Sequence, residues 1–198
     1  MAILALIRHG QSTWNSEERF TGWTDVPLTS LGKEEARKAA GTINNHHFNL
    51  AFCSELLRAK ETLNIILEEN HLTLPIIYTH AINERDYGDL VGKTHAEVIK
   101  EFGKDKYNSW HRSWDSQPPH GESLKDTHTR VMNYFKEQIL PELKKGKNVL
   151  VVASGNSLRA LIKELDGISD KEIPYLEIPT GSASLYEVDS KGKFKKLS

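Results

Sequence analysis

The chain has 198 residues, which suits one domain with a hydrophobic core and is short for two. Its 26 Lys and Arg residues nearly balance its 27 Asp and Glu residues. The resulting formal net charge of −1 argues against binding to nucleic acid or to an anionic membrane. The one cysteine, Cys53, excludes an internal disulfide bond, and no apolar run approaches membrane-spanning length, so we expect a cytoplasmic protein.

Apolar runs predict five strands along the chain. The opening MAILALI has no basic region before it and no cleavage site after it, so it is interpreted as a strand rather than a signal peptide. The strands are expected at residues 2–7, 50–53, 75–78, 148–153 and 184–188.

Helical patterns separate these strands. One predicted helix covers residues 30–46, and a second follows Ser54, which is expected to cap it. Another follows the strand at 148–153. Capping-box spacing occurs at two further places, the pairs Ser123/Asp126 and Ser169/Glu172.

The alternation of strands and helices predicts an α/β fold. We expect three layers, with a mostly parallel central sheet flanked by helices on both faces, in a single domain over residues 1–198. The Lys-rich end, residues 190–198, is expected to be a solvated tail. The alternative is a segment that helps to close a site over an anion.

Charged or polar side chains follow four of the predicted strands. In such folds, ligands bind beyond the carboxyl ends of the strands. Each residue alone has a structural explanation, such as a surface arginine or a loop salt bridge. Together they predict a site for a dianion such as phosphate, because three of them are permanent cations. The residues are Arg8, His9, Arg58, Glu84, Arg85 and Asn156.

Several long motifs carry a resemblance to a known family. They are LIRHGQSTWNSEERFTGWTDVPLTSLGKEEA, CSELLRAKET, NERDYGDL, GESLKDT and GNSLRAL. Together they resemble the cofactor-dependent phosphoglycerate mutases of the histidine phosphatase superfamily over nearly the whole chain. The resemblance implies interconversion of 2-phosphoglycerate and 3-phosphoglycerate in glycolysis and gluconeogenesis. It also implies priming by 2,3-bisphosphoglycerate without a metal, and a homo-oligomer, either dimer or tetramer.

The resemblance also implies a role for each matching residue. His9 would carry the phosphoryl group as phosphohistidine, Arg8 and Arg58 would hold the phosphoryl oxygens, and Glu84 would be the general acid and base. The residues implied to bind substrate are Asn15, Thr21, Gly22, Arg85, Tyr87, Arg112, Gly155 and Asn156. The nine histidines show no metal-ligand spacing.

The chain departs from the family pattern at three positions. Ser154 stands where the family has a second histidine, so we expect the mutase to be impaired. Losing one such stabilising group typically costs about 10²–10³ in rate. His95 and His111 replace family cations, which predicts weaker and pH-dependent binding at the substrate end.

Two other functions stay open from the sequence. One is a phosphatase of the same superfamily, and the other is a catalytically weak protein that binds phosphometabolites. Residues 105–122, which include Trp110 and Trp114, are either a lid that excludes water or an ordered surface loop packed by its tryptophans. A serine-hydrolase elbow is rejected, because Arg159 stands where its last glycine is needed.

Overall fold

The computed structural model describes residues 1–197, so Ser198, the end of the predicted tail, lies outside it. Within this range six strands form one sheet in the order β3-β2-β4-β1-β5-β6. Their bounds are β1 Ala2–Arg8, β2 Leu50–Ser54, β3 Ile76–Thr79, β4 Val149–Ala153, β5 Ala183–Val188 and β6 Phe194–Lys196. Strands β1 to β4 pair in parallel, whereas β5 runs antiparallel to β1 and β6 antiparallel to β5. The mostly parallel sheet that we predicted is therefore confirmed.

Helices cover both faces of this sheet. Their bounds are α1 Thr13–Ser16, α2 Ser30–Ile43, α3 Leu57–Glu69, α4 His95–Phe102, α5 Lys104–Arg112, α6 Leu124–Tyr134, α7 Leu140–Lys144 and α8 Gly155–Asp166. Short 3₁₀ turns lie at His80–Ile82, Gly88–Leu90 and Ile173–Tyr175, and a π-helical turn at Phe135–Ile139 joins α6 to α7.

The pleat of β1 sends alternate side chains into two separate cores. Leu4 and Leu6 pack with the layer of α6, α7 and α8, whereas Ala5 and Ile7 pack with α2 and α3. Because helices cover both faces, the strand has no solvated side, which explains its continuous apolar run. The predicted three-layer α/β fold is thus confirmed.

The structure corrects three local predictions. Helix α2 ends at Ile43, short of residue 46. Ser54 does not cap α3, because the N-cap position of that helix is Leu56. The Ser54 hydroxyl donates instead to Asn83 Oδ1 at 2.7 Å. Glu172 accepts from the backbone and hydroxyl of Ser169, but the turn that follows is 3₁₀ rather than α-helical.

The Lys-rich end is the edge strand β6 rather than a free tail. Its lysines are exposed, and Lys196 Nζ lies 2.6 Å from Asp166 Oδ2. Pairing with β5 orders a segment whose composition alone suggested solvated chain. Exposed lysines on an edge strand disfavour pairing with another sheet. Over residues 1–197, no helix combines the length and the apolar character needed to cross a membrane.

Two glycines let the chain after β1 pass against the start of α2. A Cβ built on Gly10 would lie 2.0 Å from the Gly32 carbonyl oxygen, and a Cβ on Gly32 would lie 2.1 Å from the Gln11 carbonyl oxygen. Backbone therefore packs directly on backbone here. This contact fixes the position of the residue before Gly10, which is His9.

We expect Gly32→Ala to lower the free energy of unfolding by about 1–3 kcal/mol, since the new methyl group overpacks backbone that cannot move independently. Gly41→Ala in the same helix is the matched control, because nothing lies within 4 Å of its Cβ position. The control should raise the stability by about 0.5–1 kcal/mol through helix propensity. Urea unfolding measures both, and equal effects would contradict the close approach.

Candidate active site

The carboxyl ends of β1 and β4 open into a cavity of about 460 Å³. Its volume lies in the range that is usual for small-molecule sites, about 300–1,000 Å³. Eleven of the twelve predicted site residues line it, and Arg85 does not. The eleven are Arg8, His9, Asn15, Thr21, Gly22, Arg58, Glu84, Tyr87, Arg112, Gly155 and Asn156.

His9 lies at the inner end of this cavity and is only 1% exposed. Its Nδ1 is 2.7 Å from the carbonyl oxygen of Gly10. A carbonyl only accepts, so Nδ1 carries the proton and Nε2 keeps its lone pair. Burial, followed by the charges of Arg58 and Arg8, holds the pKa of His9 well below its usual value. The ring is therefore neutral, with Nε2 available as a nucleophile.

Arg58 holds the other side of this imidazole. Its Nε donates to His9 Nε2 at 3.1 Å, and its terminal nitrogens donate to the carbonyls of Gly22 at 2.8 Å and Thr24 at 3.0 Å. Burial lowers the pKa of Arg58 to about 10, so the guanidinium stays charged at neutral pH. All three acceptors are uncharged, which leaves the positive charge for a ligand.

Arg8 ends β1 and supplies a second buried cation. One terminal nitrogen donates to the carbonyl of Ile178, whereas Nε is buried without a partner among the described residues. A Cβ on Gly155 would lie 3.2 Å from the Arg8 Cζ. The absence of a side chain at Gly155 therefore leaves room for the guanidinium. An unpaired buried donor costs free energy, and an anionic oxygen in the cavity would remove that cost.

Glu84 is held from two directions at the cavity wall. Its Oε1 accepts from the backbone N–H of Arg85 at 2.7 Å and from that of Asn156 at 3.1 Å. Asn156 lies in the first turn of α8, where free N–H groups favour negative charge. The carboxyl group is thus fixed close to the two arginines of the reacting end, where it can exchange a proton with a bound oxygen.

Arg85 is not among the residues that line the cavity, so its predicted place in the substrate site stays a prediction. Its guanidinium stacks on the Tyr87 ring, 4.5 Å from the ring centroid, and donates to the carbonyl of Trp110. Its Nε and one terminal nitrogen are buried without a partner among the described residues. Arg85 thus links Tyr87, which lines the cavity, to helix α5.

Two imidazole rings of the cavity wall are neutral, at positions where the resemblance implies cations. His95 and His111 both line the cavity, with ring centroids 5.0 Å apart. Burial and the charge of Arg112 lower the pKa of His111 to about 3, and burial lowers that of His95. Arg112 itself is paired with Glu177 at 2.8 Å. An anionic ligand must compete with that carboxylate.

Ser154 is fully buried at the start of α8 and does not line the cavity, although Gly155 does. Its hydroxyl oxygen has no hydrogen-bond partner among the described residues and does not cap the helix. The short side chain thus makes no contact that replaces an imidazole.

Three parts of the wall were not predicted from the sequence. Residues 18–20 line the cavity, Arg159 lines it from α8, and residues 176–179 line it as well. Arg159 follows Asn156 by three residues, so helical spacing indicated that it shares the same face. No local pattern marked residues 176–179. Among residues 1–197, no cluster of three or more His, Cys, Asp or Glu side chains is arranged to hold a metal ion.

Comparisons with known proteins agree with this geometry. Residues 4–197 match the histidine phosphatase superfamily (branch 1). A similar protein from Cytophaga hutchinsonii, named 2,3-bisphosphoglycerate-dependent phosphoglycerate mutase, is 50% identical over 100% of this chain and 93% of its own. Another from Gloeobacter violaceus, named 2,3-bisphosphoglycerate-dependent phosphoglycerate mutase 2, is 46% identical over 100% of this chain and 90% of its own.

Solved structures give the same fold at lower identity. Bacillus stearothermophilus YhfR superposes with a TM-score of 0.85 at 26% identity, covering 100% of this chain and 96% of its own. The α-ribazole phosphatase from Shigella flexneri has a TM-score of 0.83 at 27% identity, covering 98% and 95%. The chain belongs to the histidine phosphatase superfamily and, within it, to the family of 2,3-bisphosphoglycerate-dependent phosphoglycerate mutases.

Proposed function

We propose that this protein interconverts 2-phosphoglycerate and 3-phosphoglycerate through a phosphohistidine at His9, primed by 2,3-bisphosphoglycerate. The observation that carries the proposal is the neutral His9 ring, whose Nε2 lies beside the buried charge of Arg58. The names of the full-length relatives support the choice of substrate. Family membership also supports a cytoplasmic homo-oligomer.

The cavity is lined by enough cations for a ligand with two anionic groups. Arg8 and Arg58 lie near His9, and the unpartnered Nε of Arg8 favours an oxyanion there. Arg112 lines the same cavity and can face a second anionic group. 2,3-Bisphosphoglycerate carries two phosphate groups on a short chain, and when bound it supplies the phosphoryl group that loads His9.

In the proposed step, His9 Nε2 attacks the phosphorus of a phosphate monoester, and the bond from phosphorus to the ester oxygen breaks. Glu84, as the acid, gives its proton to the departing oxygen. The bond from His9 Nδ1 to the Gly10 carbonyl stabilises the ring as positive charge develops on it. In the return step, the Glu84 carboxylate takes the proton from the glycerate hydroxyl that attacks the phosphorus.

We also propose that residues 105–122 are a lid over the cavity. His111 and Arg112 end α5 and line the cavity, so a shift of α5 would open it. Trp110 is buried against Phe102, with ring centroids 5.1 Å apart, and holds the helix in place. A closed lid favours transfer to a hydroxyl over hydrolysis, because it excludes water.

A phosphatase of the same superfamily is the second candidate. The similarity to α-ribazole phosphatase favours it, because that protein shares the fold. In a phosphatase, water takes the place of the glycerate hydroxyl in the second step. The ratio of 2-phosphoglycerate to inorganic phosphate, formed from 3-phosphoglycerate in the presence of bisphosphoglycerate, distinguishes the two functions.

We expect incubation with 2,3-bisphosphoglycerate to give a phosphoenzyme that is stable in alkali and labile in acid, as phosphohistidine is. His9→Asn should abolish it, whereas His71→Asn should retain it. His71 is exposed and has a φ of 51°, a conformation that asparagine tolerates well. Intact mass spectrometry of the three proteins is the measurement. Formation of a phosphoenzyme by His9→Asn would contradict the proposal.

We expect the His9 ring to stay neutral from about pH 8 down to about pH 6, since its pKa in the folded protein is well below 6.5. The neutral form is the nucleophile, so mild acid does not remove it. NMR of the imidazole nitrogens, assigned by comparison with His9→Asn, tests this. A His9 titration at the ordinary histidine pKa would contradict it.

The hydroxyl of Ser154 is buried and unpartnered, so Ser154→Ala should change the mutase rate by less than about threefold. Ser154→His should raise that rate by about 10²–10³, since it adds a donor to the transferring group. Steady-state assays of both variants beside the parent chain measure this. Equal rates for all three would refute an impairment at position 154.

A further inference from the structure

Arg159 links three parts of the cavity wall from a buried position. It is 6% exposed and lines the cavity. One terminal nitrogen donates to Asn156 Oδ1 at 3.0 Å. The other donates to the carbonyls of Ile173 at 2.7 Å and Arg112 at 3.3 Å. Burial lowers the pKa of Arg159 to about 10, so it is still a cation at neutral pH.

The guanidinium determines which way the Asn156 amide faces. Arginine has donors and no acceptor, so the amide must present its oxygen to Arg159. Its Nδ2 then lies 2.9 Å from the hydroxyl of Tyr87. An amide nitrogen can only donate, so the Tyr87 oxygen accepts this bond.

The Tyr87 proton is therefore left for another acceptor. No acceptor for it is found among residues 1–197, and Tyr87 lines the cavity. A ligand oxygen can take this proton. If the Asn156 amide turned over, its oxygen would accept the Tyr87 proton, and a lone pair would face the ligand instead.

We propose that Arg159 is a positioning residue, which fixes the Asn156 amide and so commits the Tyr87 hydroxyl to donate to an anionic oxygen of the phosphoglycerate. The inference rests on the proposed function, since that function supplies the anion. Arg159 also holds the carbonyl of Arg112 at the end of α5, so the test must separate the two effects.

A double-mutant cycle between Arg159→Met and Tyr87→Phe separates them. The main measurement is the Kd of 3-phosphoglycerate by titration calorimetry, which needs no turnover. Arg159→Met should weaken binding about tenfold in the parent chain, as is typical for losing a hydrogen bond to a charged group. In the Tyr87→Phe background it should weaken binding by less than about threefold.

Arg159→Lys should restore most of the binding, because lysine also has donors and no acceptor. In steady-state assays the loss in Arg159→Met should raise KM more than it lowers kcat. Arg37→Met, which removes an exposed arginine of α2, is the control and should leave the Kd unchanged. Thermal unfolding shows whether each variant is folded.

An equal loss in both backgrounds would overturn the inference, since Arg159 would then act by holding α5. Failure of Arg159→Lys to restore binding would overturn it as well. The proposed function fails separately, if the parent chain binds 3-phosphoglycerate but forms no phosphohistidine. If the parent chain binds no 3-phosphoglycerate, both proposals fall.

Discussion

The hydrogen bond from His9 Nδ1 to the carbonyl of Gly10 is the contact on which the chemistry depends. It holds the ring in the tautomer in which Nε2 carries no proton, and it fixes the direction of the Nε2 lone pair, which accepts a hydrogen bond from Arg58 Nε. The carbonyl is available because the chain turns directly after β1, with Gly10 against the backbone of Gly32. A side chain at either glycine would move the turn. The orientation of the proposed nucleophile is thus linked to the packing of α2 on the sheet.

The positive charges of Arg8 and Arg58 have two effects at His9. Arg8 and Arg58 both disfavour a proton on the imidazole, and the same groups would stabilise a phosphoryl group on it. Their protein acceptors are carbonyls of Gly22, Thr24 and Ile178 rather than carboxylates. Arg112, by contrast, is paired with Glu177. Arg8 and Arg58 therefore present guanidinium groups that are bonded to no carboxylate oxygen, although the Glu84 carboxyl group lies near both of them.

Much of this site was predictable because parallel strands end at one edge of the sheet. His9, Arg58 and Glu84 follow three different strands, and the fold brings them into one cavity. That Arg85 does not line the cavity was not predictable, because its adjacency to Glu84 does not say whether both side chains reach the cavity. The edge strand β6 was missed since its order comes from pairing with β5, and not from its own composition. Residues 176–179 reach the cavity only through tertiary packing.

The start of α8 shows how the chain accommodates serine at position 154. Gly155, which follows it, leaves space that the Arg8 guanidinium occupies, with the Arg8 Cζ 3.2 Å from the Cβ position of Gly155. Burial lowers the pKa of Arg58 to about 10, which is still far above neutral pH. The positive charge of Arg58 is then independent of pH in the physiological range. The affinity of the reacting end for substrate varies in that range mainly through the phosphate itself, whose second pKa is about 6. With serine at position 154, the positive charge beside His9 comes from arginines, and the charge of Arg58 does not vary with pH near neutrality.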